Sequence, residues 1–272
     1  LAILGPRVKQ EHVDALHWFV AKSISYVRNR EVTTKYTTAT YPIFMRECTV
    51  CKKDGSTDKF YKIYEPLNPD KQWRFNCTPD GVKPKLYING LAELQKAYRD
   101  FNAQEEKLFY NDPKNQDQPY KEKKLGECFI CSGERDSLCL RALGYHPLWF
   151  NSETYKVSPE EIKEIYKYVE RIYNIPDIDG TGVRKGRELA LRFLDIHTIW
   201  LPSWLSQHRD RRGKPRKDFR DFVELRPTNE DFRNLMTLAM PARFWEESWS
   251  ERSKKKTYSI NTAYLHYFLT LN

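Results

Sequence analysis

The chain has 272 residues, 40% hydrophobic and 31% charged. That is ample for one large or two modest domains with an ordinary core, and no apolar run approaches the ~18 residues that a membrane helix needs. A formal charge of +9, from 46 Lys and Arg against 37 Asp and Glu, argues against a polycationic partner and for a polyanionic one. No signal peptide is legible, the first residue is Leu1, and the chain stops inside the apolar YLHYFLTLN. Both ends read as cut from a longer polypeptide, and no membrane partner is expected.

Six cysteines carry no disulfide pattern, so a reducing, cytoplasmic setting is the default. Cys48 and Cys51 have the spacing of half a zinc site, but no second half follows, and zinc is not expected. Cys128 and Cys131 are three apart in an apolar run and should face opposite sides of a buried strand.

In chain order, EHVDALHWFVAKSISYV (11–27) has helical spacing through Val13, Leu16, Val20 and Ile24. YPIFM, FYKIYEPL and WRFNC read as strands, and GLAELQKAYRDF, after Asn89, opens a helix that runs to about residue 102. This makes 1–102 a basic α+β domain. The polar stretch 103–125 reads as a bridge with at most a short ordered segment. From 126 to 227 strands and helices alternate: ECFIC, a helix from Glu134 stopped by Gly144, HPLWFN, a capped helix over SPEEIKEIYKYVERIY, a short strand at NIPDID, a helix in VRKGRELALRFLD, and HTIWLP. Ser158, Pro159 and Glu161 form the cap and capping box. Such alternation predicts α/β architecture: a parallel sheet with flanking helices, whose ligands bind beyond the carboxyl ends of the strands. Residues 228–272 look mainly helical and lead toward another domain.

Three acidic groups follow strand ends: Asp136, then Asp177 and Asp179, then Asp218 and Asp221. Asp177 and Asp179 are two apart, so an extended segment turns both carboxylates one way, where they repel unless a cation joins them. Mg²⁺, or Mn²⁺ in its place, prefers such hard oxygen ligands and polarises phosphoryl groups. A calcium loop over 177–188 is a rival, opposed by Arg184 where an apolar residue belongs and by Thr181 at a ligand position. A capped turn with solvated acids is the plainer alternative. HRDRRGKPRK (208–217) is strongly basic, as a phosphate-neutralising segment or an ordinary solvated loop. Trp73 beside Arg74 has the chemistry either to fill a strand position or to stack on a base.

CSGERD (131–136), DIDGTG (177–182) and KDFRD (217–221), in this order, resemble the motifs of the Toprim fold in bacterial-type primases and the primase-helicases of phages and mobile elements. The resemblance covers about 40–225. It implies a Toprim-like sheet preceded by a smaller basic domain, with YKIYEPLNPDKQWRF (61–75) and KPKLYING (83–90) similar to a nucleotide- and template-binding part. The implied metal ligands are Asp177, Asp179 and Asp218, with Asp136 and Glu134 completing the catalytic set. Lys62, Arg74, Lys83, Lys85, Arg184, Lys185, Arg211, Arg212, Lys214 and Lys217 would bind nucleic acid or nucleotide. The implied activity is primer synthesis from nucleoside triphosphates on single-stranded DNA, with a C-terminal helicase domain as partner, in a bacterial or phage-infected cell.

One departure matters. The family places a glutamate where this chain has Ser132, which has no comparable acid chemistry. Gly133 is expected to provide the sharp strand-to-helix turn, and Glu134 is the nearest acid able to reach the site. A degenerate module that binds single-stranded DNA and supports a helicase is therefore the alternative to an active primase. A Toprim nuclease is a further alternative.

Overall fold

The computed structural model describes residues 2–28, 30–51, 57–70, 73–79, 87–151, 155–210 and 212–245. Lys83, Lys85, Arg211, the Cys51 side chain and the tail from 246 lie outside the described residues. Helix α1 (Gln10–Ala15) is short. It ends where His17 takes a left-handed φ of 57°, and the chain turns into β1 (Trp18–Val20) and β2 (Ser23–Arg28). The single helix expected over 11–27 is therefore corrected. Its apolar spacing fits two elements equally well, and Trp18, Val20, Ile24 and Val27 are residues that favour strands. Val13, Leu16, Trp18 and Ile24 are buried, whereas Val20 is exposed.

β2 forms an antiparallel hairpin with β3 (Glu31–Tyr36). β4 (Phe44–Cys51), β5 (Thr57–Tyr64) and β6 (Phe75–Thr78) join β1 in a four-stranded antiparallel sheet of order β1-β4-β5-β6. These strands overlap the three segments expected to be strands. Helix α2 (Leu91–Tyr110) runs well past 102, so the polar stretch 103–125 begins as helix. Its return is pinned by Asn102, whose side chain accepts from the Lys123 N–H (2.8 Å) and the Tyr120 hydroxyl (2.8 Å) and donates to the Lys123 carbonyl (2.9 Å).

The second sheet contains β7 (Leu125–Cys131), β8 (Pro147–Trp149), β9 (Val169–Ile175), β10 (His197–Thr198) and β11 (Met240–Pro241). Its order is β11-β10-β9-β7-β8, parallel throughout except for β11. The helices are α3 (Glu134–Ala142), α4 (Pro159–Ile165), α5 (Gly180–Arg192), α6 (Phe219–Leu225) and α7 (Asn229–Thr237). The capping box is present: Ser158 Oγ accepts from the Glu161 N–H (3.2 Å), and Glu161 accepts from the Ser158 N–H (2.6 Å). α4 nevertheless stops at Ile165. Val169, assigned from its spacing to that helix, instead opens β9, because VERIYNI is rich in branched and aromatic residues and buries Val169 and Ile172 completely. Among the described residues no helix is long and apolar enough to cross a membrane.

β7 sorts its side chains by alternation. Cys128 and Ile130 enter a cluster with Leu94, Ile162 and Ile165, whereas Phe129 and Cys131 enter another with Leu138, Phe219 and Phe232. Each such fully buried aromatic or aliphatic side chain stabilises the fold by ~1.5–3 kcal/mol. The second cluster also contains Leu16, Trp18, Phe44 and Tyr64, so the N-terminal sheet shares a core with the parallel one.

Arg46 joins the two sheets. It is fully buried on β4 and stacks its guanidinium over Trp149 at 4.6 Å. Its Nε donates to the Leu16 carbonyl (2.9 Å), and its terminal nitrogens to Asn89 Oδ1 (2.6 Å) and Glu93 Oε1 (2.9 Å). Asn89 in turn exchanges backbone hydrogen bonds with Trp149 (3.0 and 3.2 Å), closing the edge of β8. Removing one partner of such a pair strands the rest. Arg46→Met should lower the unfolding free energy by about 3–5 kcal/mol in urea titrations, and adding Glu93→Gln should recover part of it. A decrease below about 1 kcal/mol would show that Arg46 does not tie the sheets together.

Candidate active site

β7 and β9 lie side by side at the centre of the parallel sheet, and both lead into acidic turns at their carboxyl ends. Asp136 occupies the first turn of α3. Asp177 and Asp179 follow β9, and Asp179 caps α5 by accepting from the Gly182 N–H (2.9 Å). Asp218 caps α6 by accepting from the Asp221 N–H (2.8 Å). Both caps satisfy otherwise orphaned helix donors. The third motif stitches the other two together. Lys217 Nζ reaches Asp177 (3.0 Å) and Asp179 (2.5 Å), the Lys217 carbonyl accepts from the Ile178 N–H (3.0 Å), and the Arg220 N–H donates to Asp136 (2.9 Å). Gly182 is required by space: a Cβ there would lie 2.3 Å from the Asp177 carbonyl oxygen. Gly133 is not. Its φ of −177° is plain extended backbone, and a Cβ there would meet nothing. The turn expected to depend on it is built without that freedom.

Asp136 and Asp177 are buried, at 5% and 6% exposure. Burial, then the Asp218 and Asp177 charges, push the Asp136 pKa well above the usual carboxylate range, against the Arg220 N–H and the Arg135 guanidinium. Burial and Asp221 raise Asp218 to about 6, partly offset by Arg135, 3.8 Å away. Asp179 is also partly desolvated, yet the Lys217 ammonium and the Gly182 N–H outweigh this and lower its pKa. Hard carboxylate oxygens suit Mg²⁺ or Mn²⁺. Asp177 Oδ1 in particular is buried without a hydrogen-bond partner, which leaves it free to accept a cation. Among the described residues no three His, Cys, Asp or Glu are already gathered as a metal cage, and Lys217 is the cation between Asp177 and Asp179.

Glu134 is placed differently from the other acids. It is buried and ion-paired with Lys62 of β5, whose Nζ also donates to Asn151 Oδ1 (2.5 Å). The pair spans from the antiparallel sheet to the start of α3. Ser132 lines a cleft of about 310 Å³ with Asp177, Lys185 and the apolar Ile175 and Leu189.

The basic candidates scatter. Lys62 is buried in that pair, and Arg74 Nε donates to the Asn68 carbonyl (2.8 Å), bracing the loop before β6. Arg184 and Lys185 both bond Glu188 on α5 (2.8 and 2.6 Å). Arg212 grips Asp210 with two nitrogens (2.9 and 2.7 Å). Arg212, Lys214 and Lys217 line a second cleft of about 420 Å³ with Asp179 and Asp218. Sequence reasoning missed Arg135 and Arg220 and named Arg216 only within the basic run 208–217; all three also line it. A signal existed for two of them, since Arg135 and Arg220 each directly precede a motif aspartate. Cys48 is buried beside Arg46 Nη1 at 3.6 Å.

No family model matches the chain, and no curated protein matches its sequence. Solved structures do match its fold. The E. coli primase catalytic core matches with a TM-score of 0.54 at 14% identity, over 88% of this chain and 73% of that chain. The DnaG primase catalytic domain bound to single-stranded DNA gives 0.52 at 13%, over 86% and 71%. Another structure of the DnaG catalytic core gives 0.53 at 12%, over 86% and 70%. The chain thus has a mixed α/β fold similar to the Toprim-containing catalytic core of primases.

A carboxyl whose folded pKa exceeds its unfolded value favours the fold most when protonated. Asp218, raised from 3.8 to about 6, therefore contributes stability that is full below about pH 3.8 and lost as pH rises through about 6. In chelator, the melting temperature should carry this loss, and Asp218→Asn, which keeps a capping side chain, should flatten it. Mg²⁺ should raise the melting temperature near pH 7 more for wild type than for the variant. Identical pH profiles for the two proteins would refute the assignment.

Proposed function

We propose that the chain is the primase portion of a replicative primase-helicase, making primers from nucleoside triphosphates on a single-stranded DNA template. The observation that carries this reading is the convergence of Asp136, Asp177, Asp179 and Asp218 beside a cleft rich in arginine and lysine. The likeness to primase catalytic cores supports it. Asp177, Asp179 and Asp218 would hold the divalent ion. When bound, that ion supplies polarisation of the phosphoryl group under attack. The chain's own residues do the rest. Asp179 and Asp218 are oriented by their caps, and Arg212 and Lys214 neutralise phosphates at the cleft without reading sequence. Lys217, which lines the same cleft and pairs with Asp177 and Asp179, would add its charge to phosphate binding there. A helicase domain beyond residue 272 and a bacterial or phage-infected host complete the reading.

Ser132 and the sequestration of Glu134 by Lys62 favour a second reading, a module that binds single-stranded DNA without synthesis. Primer synthesis with Mg²⁺ or Mn²⁺ separates the two. Wild type should yield products that fall about 100-fold or more in Asp177→Asn/Asp179→Asn, the size expected when several kcal/mol of phosphoryl stabilisation is removed. Ser132→Glu should raise the yield. A silent wild type that still binds single-stranded DNA in chelator would establish the second reading instead. In either case Arg212→Ala/Lys214→Ala should weaken binding on all sequences and reduce the salt slope by about one for each phosphate no longer neutralised.

A further inference from the structure

Two large aromatic side chains stand exposed at the end of the antiparallel sheet. Trp73 and Phe75 are 48% and 47% accessible, although burying either would stabilise the fold by ~1.5–3 kcal/mol. Phe75 pairs across the strands with Tyr64 and stacks flat on it, with ring centroids 4.5 Å apart and an interplanar angle of 11°. Tyr64 is itself buried against Trp18, edge-on at 6.3 Å, and Phe44. Phe75 is thus the outermost plate of a rigid aromatic stack, with one face supported and the ring half-exposed.

The surroundings are cationic. Burial raises the Tyr64 pKa, and Arg135, Arg220, Arg74 and Arg212 act in the opposite direction, so four guanidinium groups lie within electrostatic reach of its hydroxyl. Arg135, Arg220 and Arg212 also line the cleft that contains Asp179 and Asp218. An exposed aromatic plate stacked on Tyr64, whose hydroxyl feels these guanidinium charges, matches one kind of ligand, a polyanion that carries flat rings.

We infer that Phe75, flanked by Trp73, is a stacking platform for an unpaired base of single-stranded nucleic acid whose phosphates run toward the arginine-lined cleft. The inference rests on the nucleic-acid reading above and adds a base-contacting residue to its acidic groups and basic candidates. The support from Tyr64 makes the platform pre-organised, because the ring gives up little freedom when a base lands on it.

The test uses the full 272-residue chain and two strands of equal length and charge, oligo-dT and an abasic analogue. Wild type should bind the base-bearing strand about 5- to 100-fold more tightly. Phe75→Leu still covers Tyr64 but lacks a π face. It should melt like wild type, bind the abasic strand unchanged, and lose the preference for bases. Phe75→Trp should keep it. Retention of the preference in Phe75→Leu overturns the inference, as does a loss confined to free nucleoside triphosphate. A wild type that binds both strands alike overturns this inference alone. A wild type that binds neither overturns the nucleic-acid reading with it.

Discussion

Carboxylates gathered in a partly dry site repel one another, and much of this structure offsets that repulsion. Burial, then the Asp218 and Asp177 charges, raise the pKa of Asp136, and burial with the Asp221 and Asp177 charges raises that of Asp218. The opposing donors come from the third motif. The Lys217 ammonium lies between Asp177 and Asp179, and the Arg220 N–H reaches Asp136. Strand order makes this possible. Because β7 and β9 are neighbours, their carboxyl ends deliver the first two motifs side by side, and α6 then lays its N-terminus across both. A segment far along the chain thus serves as counter-ion to two earlier ones. Any cation or substrate that enters must compete with Lys217.

The antiparallel sheet is built into this arrangement rather than attached to it. Alternation along β5 turns Lys62 and Tyr64 to one side, where Lys62 meets Glu134 and Tyr64 comes within reach of Arg135 and Arg220. On β4, Arg46 anchors the same sheet to Trp149 at the edge of the parallel one. Buried Lys62 and Arg46 therefore hold the antiparallel sheet against the parallel one. Buried pairs of this kind specify geometry more than they add stability, since desolvation offsets most of the attraction. The geometry specified here includes the placement of Arg135 and Arg220 beside Asp179 and Asp218 in the second cleft.

The acidic turns and their caps were legible because their signal is local: Asp177 and Asp179 two apart, Gly182 three further on, Asp218 and Asp221 at capping spacing. The parallel sheet was legible from its alternation, and Cys128 and Cys131 do enter opposite cores. What failed to read depends on context. The spacing of Val13, Leu16, Val20 and Ile24 serves a helix or a helix followed by strands, and the left-handed turn at His17 decides between them. Val169 satisfies both the α4 stripe and the β9 alternation, so periodicity cannot assign it. Lys62 looked like a phosphate ligand because its partner, Glu134, is distant in sequence. Arg46 drew no attention because a charged residue in a polar strand reads as solvated. In each case the missing information was which residues meet across the fold.

Ser132 acquires a physical meaning in this setting. The cluster already holds buried carboxylates, and burial with neighbouring acids raises the pKa values of Asp136 and Asp218 despite Arg135 and the backbone donors. A glutamate at 132, in the cleft it shares with Asp177, would add another like charge that only a bound cation could balance. Serine keeps the turn and relieves that load. Glu134 does not restore it, because its charge is spent on Lys62 and joins α3 to the antiparallel sheet. The turn between β7 and α3 thus presents a hydroxyl to the cleft and places its acid, Glu134, at the interface between the sheets.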